Sequence, residues 1–211
     1  MKQEIDLLQF PRVERKLGTR TAKHRAVARR FDKEFFDGAR ETGYGGYVDD
    51  GRWLAVALRM ALHYGLVEGI SRVLDIGCAK GFLVKAFRDL GIRAYGIDVS
   101  EYAIEQSVTP AHTLVADARS VTKWSGRTKF DLVVSINTVH NLEREDLAGV
   151  LRSIDAMAPH KYVTVDAWRD AEGRARMEAW NLTAKTMMHA DEWKAFFAAS
   201  RYEGDYYWFT P

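Results

Sequence analysis

The sequence has one cysteine, Cys78, and no uncharged apolar run of the length that crosses a membrane. A lone cysteine excludes an internal disulfide and a zinc site built from thiolates, so ordinary packing has to stabilise the fold. The segment Met1–Phe10 lacks the basic and apolar regions of a signal peptide. We therefore expect a cytoplasmic protein without a membrane anchor. Its 211 residues, 47% of them hydrophobic, suffice for a compact globular core.

Charge is balanced overall but uneven along the chain. The formal net charge is +2, yet residues 11–30 contain eight basic residues and a single acid, Glu14. The basic residues are Arg12, Arg15, Lys16, Arg20, Lys23, Arg25, Arg29 and Arg30. Such a segment attracts phosphate groups, either on nucleic acid or on a nucleotide-activated small molecule, although a solvated basic helix face without a partner is also common.

Residues 1–52 differ in pattern from the rest of the chain. Residues 19–36 are predicted to form one charged amphipathic helix. Glycines alternate with tyrosines in Glu41–Tyr47, which indicates a turn-rich loop and a candidate lid. We divide the chain into a basic helical arm with this lid loop, residues 1–52, and an α/β domain, residues 53–211. We expect the core to stay folded when residues 1–40 are removed.

From residue 53 onward, helices and strands alternate. Strands are predicted at Arg72–Ile76, Arg93–Asp98, Thr113–Val115, Phe130–Ile136, Lys161–Ala167 and Asp205–Thr210. Helices are predicted at Trp53–Tyr64, Phe82–Leu90, Glu101–Gln106, Glu143–Met157 and from a cap at Asp191 to Ser200. Strands separated by helices form βαβ units, so the fold class is α/β with a doubly wound, mostly parallel sheet and an N-terminal helical extension.

Ligands of an open parallel sheet bind where the strands end at their carboxyl side. The first strand is followed by a glycine loop, Gly77-Cys-Ala-Lys-Gly81, which lets backbone N–H groups approach a ligand. Ala79 stands where a dinucleotide fingerprint has its second glycine, which argues against NAD. Asp98, after the second strand, can accept hydrogen bonds from two ribose hydroxyls, and Asp117, after the third, can accept one from an adenine amine.

Four segments in order carry a family resemblance: VLDIGCAKG (73–81), YGIDVS (95–100), ADA (116–118) and FDLVVSINTVHNL (130–142). Together they resemble the motifs of the class I S-adenosylmethionine-dependent methyltransferases. The resemblance implies a Rossmann-like methyltransferase sheet of six or seven strands and S-adenosyl-L-methionine as cofactor. Sheets of this family usually end in an antiparallel hairpin, for which the sequence offers only one obvious strand. Either residues 181–188 supply the partner strand or the sheet has six strands.

The resemblance also implies roles for single residues. Asp75, Gly77, Cys78, Ala79 and Gly81 match the loop around the cofactor's methionine moiety; Asp98, Val99 and Ser100 match the ribose site; Asp117 and Ala118 match the adenine site; Asn137 matches the methyl-transfer pocket. Two alternatives stay open. The Asp75 carboxylate could serve solely to organise the loop amides without touching the cofactor, and Cys78 could be a small packing residue.

His140 is the best candidate for a base that deprotonates a hydroxyl acceptor, although a histidine at this place often only caps or packs. Asp166 is a candidate for acceptor binding, for metal ligation or for capping a turn. No metal-ligand motif is present, so we expect no metal.

The acceptor pocket is predicted from residues outside the shared motifs. The candidates are Tyr44, Tyr47, Arg52, Trp53, Asn141 and Asp166, with a surface ion pair as the alternative role for Arg52. The segment Ser135–Thr138 lacks the motif with which enzymes methylate exocyclic amines of nucleic acids. Cys78 lies in the glycine loop and is misplaced for attack on a pyrimidine. These two nucleic-acid methylations are therefore disfavoured.

We therefore expect a small-molecule substrate, in some cases phosphate-bearing, methylated on a hydroxyl of a sugar, nucleotide-sugar or related metabolite. An RNA methyltransferase that uses the basic arm is the main alternative, and a catalytically inactive cofactor-binding subunit is another.

Overall fold

A computed structural model describes residues 3–10, 20–124 and 129–210 of the chain. Arg12, Arg15, Lys16 and Thr19 of the predicted arm lie outside the described residues. The strands are β1 (Arg72–Ile76), β2 (Arg93–Asp98), β3 (Thr113–Val115), β4 (Leu132–Ile136), β5 (His160–Trp168), β6 (Met188–His189) and β7 (Asp205–Phe209). The helices are α1 (Ala22–Ala28), α2 (Lys33–Phe36), α3 (Arg52–Tyr64), α4 (Phe82–Asp89), α5 (Glu101–Glu105), α6 (Val121–Trp124), α7 (Arg144–Met157), α8 (Ala171–Trp180) and α9 (Ala190–Ala199).

The seven strands form one sheet in the order β3-β2-β1-β4-β5-β6, with β7 also paired to β5. Every pairing between these strands is parallel. The predicted α/β class and doubly wound sheet are confirmed. Because the strands run in one direction, their carboxyl ends and the loops that follow lie along one edge of the sheet.

The far edge of the sheet differs from the hairpin expected for the family. Strand β7 runs parallel to β5, from the pair Tyr162 and Asp205 to the pair Asp166 and Phe209, and β6 contributes only two residues beside the end of β5. The physical reason is helix α9, which separates β6 from β7 and carries the chain back before the last strand begins. The cap of α9 is His189 rather than the predicted Asp191, since the His189 ring accepts the Asp191 N–H.

Two apolar layers cover the sheet, as the alternation of side chains along each strand requires. Within β1, Val73 points into a core formed with α3 and α4, while Leu74 points into the opposite core, formed with α7 and α9. The near-continuous burial of β1 and β4 is typical of central strands in a sheet with both faces covered.

The arm contains two short helices where one long helix was predicted. Phe31 adopts a left-handed backbone conformation with φ of +52°, which ends helical geometry after α1. Asp32 then starts α2, because its carboxylate accepts the Glu34 N–H at 3.0 Å. Periodicity alone did not reveal this local capping signal.

The first residues belong to the body of the protein. Gln3 and Ile5 exchange backbone hydrogen bonds with Tyr206 of β7, and Leu7 and Leu8 are each 5% exposed in the core against α3. Deleting residues 1–40 would remove these core side chains, so their packing argues against the expectation that the core stays folded without this segment, which stays a prediction.

No helix in the described ranges has the length and apolar character needed to cross a membrane.

Candidate active site

The loops after β1 and β4 meet at Gly77. The amides of Gly77 and Cys78 both donate to the Ile97 carbonyl of β2, at 2.7 and 3.0 Å, and Gly77 has a φ of +86°. A Cβ atom on Gly77 would lie 2.0 Å from the Thr138 Oγ1 atom. Glycine is therefore required here both for the backbone conformation and for the close approach of the two loops.

Cys78 lies in the core beneath the loop. Its side chain is 4% exposed and packs so closely on β2 that a Cβ atom on Gly96 would lie 2.6 Å from its Sγ atom. Burial raises the pKa of the thiol, as do the nearby carboxyls of Asp75 and Asp98. These features favour packing over a reactive role.

Asp98 organises the loops on both sides of it. Its carboxylate accepts the backbone N–H of Ala79 and that of Ser100, each at 2.8 Å, and the Ser100 hydroxyl caps α5 by accepting the Ala103 N–H. Each carboxylate oxygen has a second acceptor position, so ribose hydroxyls could still donate to it. Val99 follows with its side chain 49% exposed.

Asp75 is buried without a hydrogen-bond donor from any residue in the described ranges. It is 4% exposed at the end of β1. Burial raises the pKa of its carboxyl to about 8, and the negative charge of Asp98 adds to the shift. A buried acid without a partner beside a glycine loop is a good fit for a cationic ligand, since a positive charge there would restore the ionised form.

The lid loop reaches this place. Tyr47 stacks on Phe82, the first residue of α4, with ring centroids 5.1 Å apart, and it also contacts the ring of Tyr44 at 4.6 Å. Burial raises the pKa of the Tyr47 hydroxyl, and the charges of Asp75 and Asp98 contribute to the rise. Tyr47 was predicted to bind substrate, but its surroundings are those of the cofactor loop.

An ion pair fastens the arm to the glycine loop. The Lys80 ammonium donates to both oxygens of Asp37, at 2.8 and 2.7 Å, and to the Tyr47 carbonyl at 3.0 Å. Asp37 also accepts the Tyr102 hydroxyl at 2.7 Å and the Tyr47 N–H at 3.0 Å. The hydrogen bonds from Lys80 and Tyr102 hold the pKa of Asp37 at about 2, against the opposing effect of burial. We name these four residues the arm latch.

Asp117 is already paired. Its carboxylate accepts the Arg119 N–H at 2.8 Å and forms an ion pair with the Arg119 guanidinium at 2.6 Å, while Ala118 begins a short 3₁₀ helix. The bonds from Arg119 lower the pKa of Asp117. An adenine amine would therefore share this carboxylate with Arg119.

The loop after β4 offers one unused buried acceptor. Asn137 has a φ of +50°, and its Oδ1 atom accepts a hydrogen bond from the Thr164 hydroxyl at 2.7 Å. One turn later the Oδ1 atom of Asn141 is buried and has no hydrogen-bond partner in the described part of the chain. Such an atom costs free energy unless a ligand donates to it.

His140 and Asp166 form a buried pair behind that loop. The Nδ1 atom of His140 accepts the Asp166 backbone N–H at 3.0 Å, and its Nε2 atom lies 3.9 Å from the Asp166 carboxylate. Asn181 donates to the same carboxylate at 2.7 Å, and Trp193 donates to the Asp166 carbonyl at 2.9 Å. Burial lowers the pKa of His140, although the charge of Asp166 opposes this. In the neutral ring Nε2 then holds the proton, which leaves no free lone pair for a base.

The remaining predicted acceptor residues lie at the start of α3 and in the lid loop. Arg52 forms an ion pair with Asp50, and both side chains are exposed. Trp53 packs edge-on against Phe10 at 5.5 Å, and Tyr44 is 41% exposed. Arg52 therefore has the contact of its alternative role, a surface ion pair.

No three His, Cys, Asp or Glu side chains within residues 3–10, 20–124 and 129–210 are grouped so that they could hold a metal ion.

A family model described as a methyltransferase domain matches residues 19–203. The chain belongs to this methyltransferase family. The resemblance to the class I S-adenosylmethionine-dependent superfamily is thereby confirmed, and with it S-adenosylmethionine as the cofactor. The match also includes residues 19–52, which the sequence division assigned to the arm.

Solved structures of such enzymes share the fold. A methyltransferase from Archaeoglobus fulgidus is 22% identical over 70% of this chain and 68% of its own, with a TM-score of 0.55. Magnesium protoporphyrin IX methyltransferase from Synechocystis is 14% identical over 74% and 78%, with a TM-score of 0.52. A methyltransferase bound to the Haloferax volcanii Trm112 activator is 21% identical over 72% of each chain, with a TM-score of 0.51.

Sequence reasoning missed the contacts that join Asp37 to Lys80 and Tyr102 in the arm latch. Lys80 was visible inside the glycine loop, where a lysine between buried neighbours needs an acidic partner. Nothing in the sequence identified that partner as Asp37, because the two residues are 43 positions apart.

Proposed function

We propose that this methyltransferase acts on a hydroxyl of a small polar acceptor, a sugar, a nucleotide-sugar or a related metabolite. The assignment of the cofactor to particular residues is supported by the buried Asp75 carboxyl, to which no described residue donates a hydrogen bond. The cofactor brings a sulfonium and an ammonium group, both positive, which suit that carboxyl. The cytoplasmic location inferred from the sequence stays a prediction.

Residues at the ends of successive strands would bind different parts of the cofactor. Asp75 and the loop from Gly77 to Gly81 would hold the methionine part, Asp98 would accept the ribose hydroxyls, and Val99 would cover a face of the adenine. Tyr47 closes over this loop from the arm, and the latch holds it there. Exclusion of water by the arm strengthens each of these polar contacts.

When bound, S-adenosylmethionine supplies a methyl group already activated by its sulfonium. The protein therefore mainly has to align the acceptor oxygen, and proximity contributes most of the rate. Asn141 supports binding of a hydroxyl, because its buried Oδ1 atom needs a donor. His140 and Asp166 would shape the wall behind that acceptor, and a catalytic base role for His140 stays a prediction.

Calorimetry with S-adenosylhomocysteine tests the cofactor site. Asp98→Ala should weaken binding by about 1.5 to 3 kcal/mol, because hydrogen bonds to a charged acceptor are lost. Asp89→Ala is the matched control, since Asp89 is an exposed acid on α4 paired with Lys85. Unchanged affinity in a folded Asp98→Ala variant would contradict the assignment. Product mass spectrometry against a panel of hydroxylated and amino acceptors tests the acceptor class.

A further inference from the structure

Four arginines of the arm contact carbonyl groups or an aromatic ring, rather than a carboxylate, in the described part of the chain. Within the described ranges Arg20, Arg25, Arg29 and Arg40 form no ion pair. Arg25 donates to the carbonyls of Arg20 at 2.8 Å, Glu178 at 2.9 Å and Asn181 at 3.2 Å. Arg29 and Arg40 also donate to carbonyls. A carbonyl satisfies an N–H group but leaves the charge of the guanidinium in place.

Arg20 differs from the other three. Its guanidinium donates to no residue in the described ranges, although the residue is half-buried. The guanidinium carbon lies over the ring of Trp180, 5.6 Å from the centroid. Burial lowers the pKa of Arg20, and the charges of Arg40 and Arg25 lower it further, against Glu41. The charges of Arg25 and Arg40 thus act on Arg20, with Glu41 as the opposing charge, and the Arg20 guanidinium has no hydrogen-bond acceptor among the described residues.

The position of this cluster relates it to the acceptor side of the site. Arg25 is bound to the Asn181 carbonyl, and the Asn181 side chain donates to Asp166, which lies beside His140. Helix α8 ends at Trp180, next to Asn181, so the cluster lies at the carboxyl end of β5. The cofactor residues Asp75 and Asp98 lie at the ends of β1 and β2.

We propose that Arg20, with Arg25 and Arg40 near it and the ring of Trp180 against it, binds a phosphate group of the methyl acceptor. This rests on the proposed function and narrows its substrate class to phosphorylated acceptors, such as a sugar phosphate or a nucleotide-sugar. Phosphate fits better than a carboxylate, because a dianion compensates more of the clustered positive charge. Two of its oxygens can also accept two parallel hydrogen bonds from the planar guanidinium.

The test is titration of the full-length protein, saturated with S-adenosylhomocysteine, with inorganic pyrophosphate in a calorimeter. Arg20→Gln should weaken pyrophosphate binding about tenfold or more, because a charge-assisted pair of hydrogen bonds is lost. Lys23→Gln is the matched control: it removes the same charge from the neighbouring exposed position of α1 and should change the affinity less than twofold. Arg20→Lys, which keeps the charge but loses the fork, should give an intermediate affinity.

Equal weakening by Arg20→Gln and Lys23→Gln would overturn the proposal, because it would indicate diffuse attraction to the arm. Absence of pyrophosphate binding to the wild-type protein would also overturn it. A third outcome would assign the arm to a nucleic acid instead. In that outcome a single-stranded RNA displaces pyrophosphate, and Lys23→Gln weakens the binding of that RNA as well. The affinity for S-adenosylhomocysteine should stay unchanged in all variants. If the wild-type protein did not bind S-adenosylhomocysteine, that result would count against the proposed function. The anion site would then be tested by pyrophosphate binding alone.

Discussion

Asp75 shows how a single residue can oppose folding and support binding. Its carboxyl is buried near Asp98, and no residue in the described ranges donates a hydrogen bond to it. An acid in this setting is held protonated up to a pH of about 8. Because an unfolded aspartate ionises near 3.8, unfolding releases a proton throughout the interval between these two values. The free energy of unfolding therefore falls as the pH rises from 4 to 8.

Asp75→Asn should remove this pH-dependent penalty. The variant should exceed the wild type in free energy of unfolding by about 1 to 3 kcal/mol at pH 7, with little difference at pH 4. Urea denaturation at the two pH values measures the effect. A variant less stable than the wild type at pH 7 would mean that the carboxylate organises loop amides, the alternative left open by the sequence.

The buried carboxyl of Asp75 should also make cofactor binding depend on pH. A positive ligand favours the ionised carboxylate, so binding should release a proton below pH 8. The affinity for S-adenosylmethionine should then rise between pH 6 and 8 and level off above 8. Calorimetry in buffers of different ionisation enthalpy measures the released proton. In Asp75→Asn the affinity should be lower and this pH dependence should disappear.

His140 is expected to act through packing. Removing the ring in His140→Ala leaves the buried Asp166 N–H without its acceptor, which should lower the free energy of unfolding by about 1 to 3 kcal/mol. The shape of the pH profile of kcat between pH 5 and 8 should stay the same. If the acidic limb of that profile disappears and kcat falls about a hundredfold or more, His140 is the base predicted from the sequence.

Among the elements, the two short helices of the arm stand out because contacts on either side of them reach α8 and the glycine loop. Helix α1 docks through Arg25 on the end of α8, and the segment after α2 docks through Asp37 on the glycine loop. These two attachments carry the arm over the carboxyl edge of the sheet. Because the pKa of Asp37 is about 2, its carboxyl stays ionised at neutral pH and can keep accepting from Lys80.

Breaking the latch should speed the exchange of the cofactor. Lys80→Met removes the ammonium that joins the arm to the loop, so dissociation of S-adenosylhomocysteine should become about tenfold faster in stopped-flow measurements. Asp37→Asn, altered on the arm instead, should have the same direction of effect. Lys85→Met is the control, because Lys85 pairs only with exposed Asp89 on α4. Equal rates in all four proteins would show that the arm does not retain the cofactor.

Elements with strong patterns were predicted almost to the residue. Strands β1, β2 and β3 have the predicted bounds, and α3 ends at Gly65 as its left-handed cap requires. The failures occurred where short-range chemistry overrides periodicity. Asp32 caps a new helix after Phe31, and His189 replaces Asp191 as a cap because its ring accepts the Asp191 N–H.

At the scale of the whole molecule, the N-terminus is part of the core. Leu8→Ala should lower the free energy of unfolding by about 2 to 4 kcal/mol, because it leaves a cavity between the first residues and α3. Leu62→Ala is the matched control, since Leu62 on α3 is 75% exposed and its loss should change stability by less than about 0.5 kcal/mol. Denaturant unfolding compares the two. Similar small effects would restore the view of residues 1–40 as a removable arm.

The amino-acid sequence was enough to predict the fold class and the methyltransferase family, and it indicated the loops that we propose hold the cofactor. It could do so because strand periodicity, glycine spacing and residues that directly follow strands are local features of the chain. Only the folded chain revealed that Asp37 is the partner of Lys80 and that His140 accepts the Asp166 N–H. It also revealed that neither the Asp75 carboxyl nor the Arg20 guanidinium has a hydrogen-bond partner among the described residues. Each of these depends on which distant side chain or charge comes close in the folded chain, and no local pattern encodes that distance.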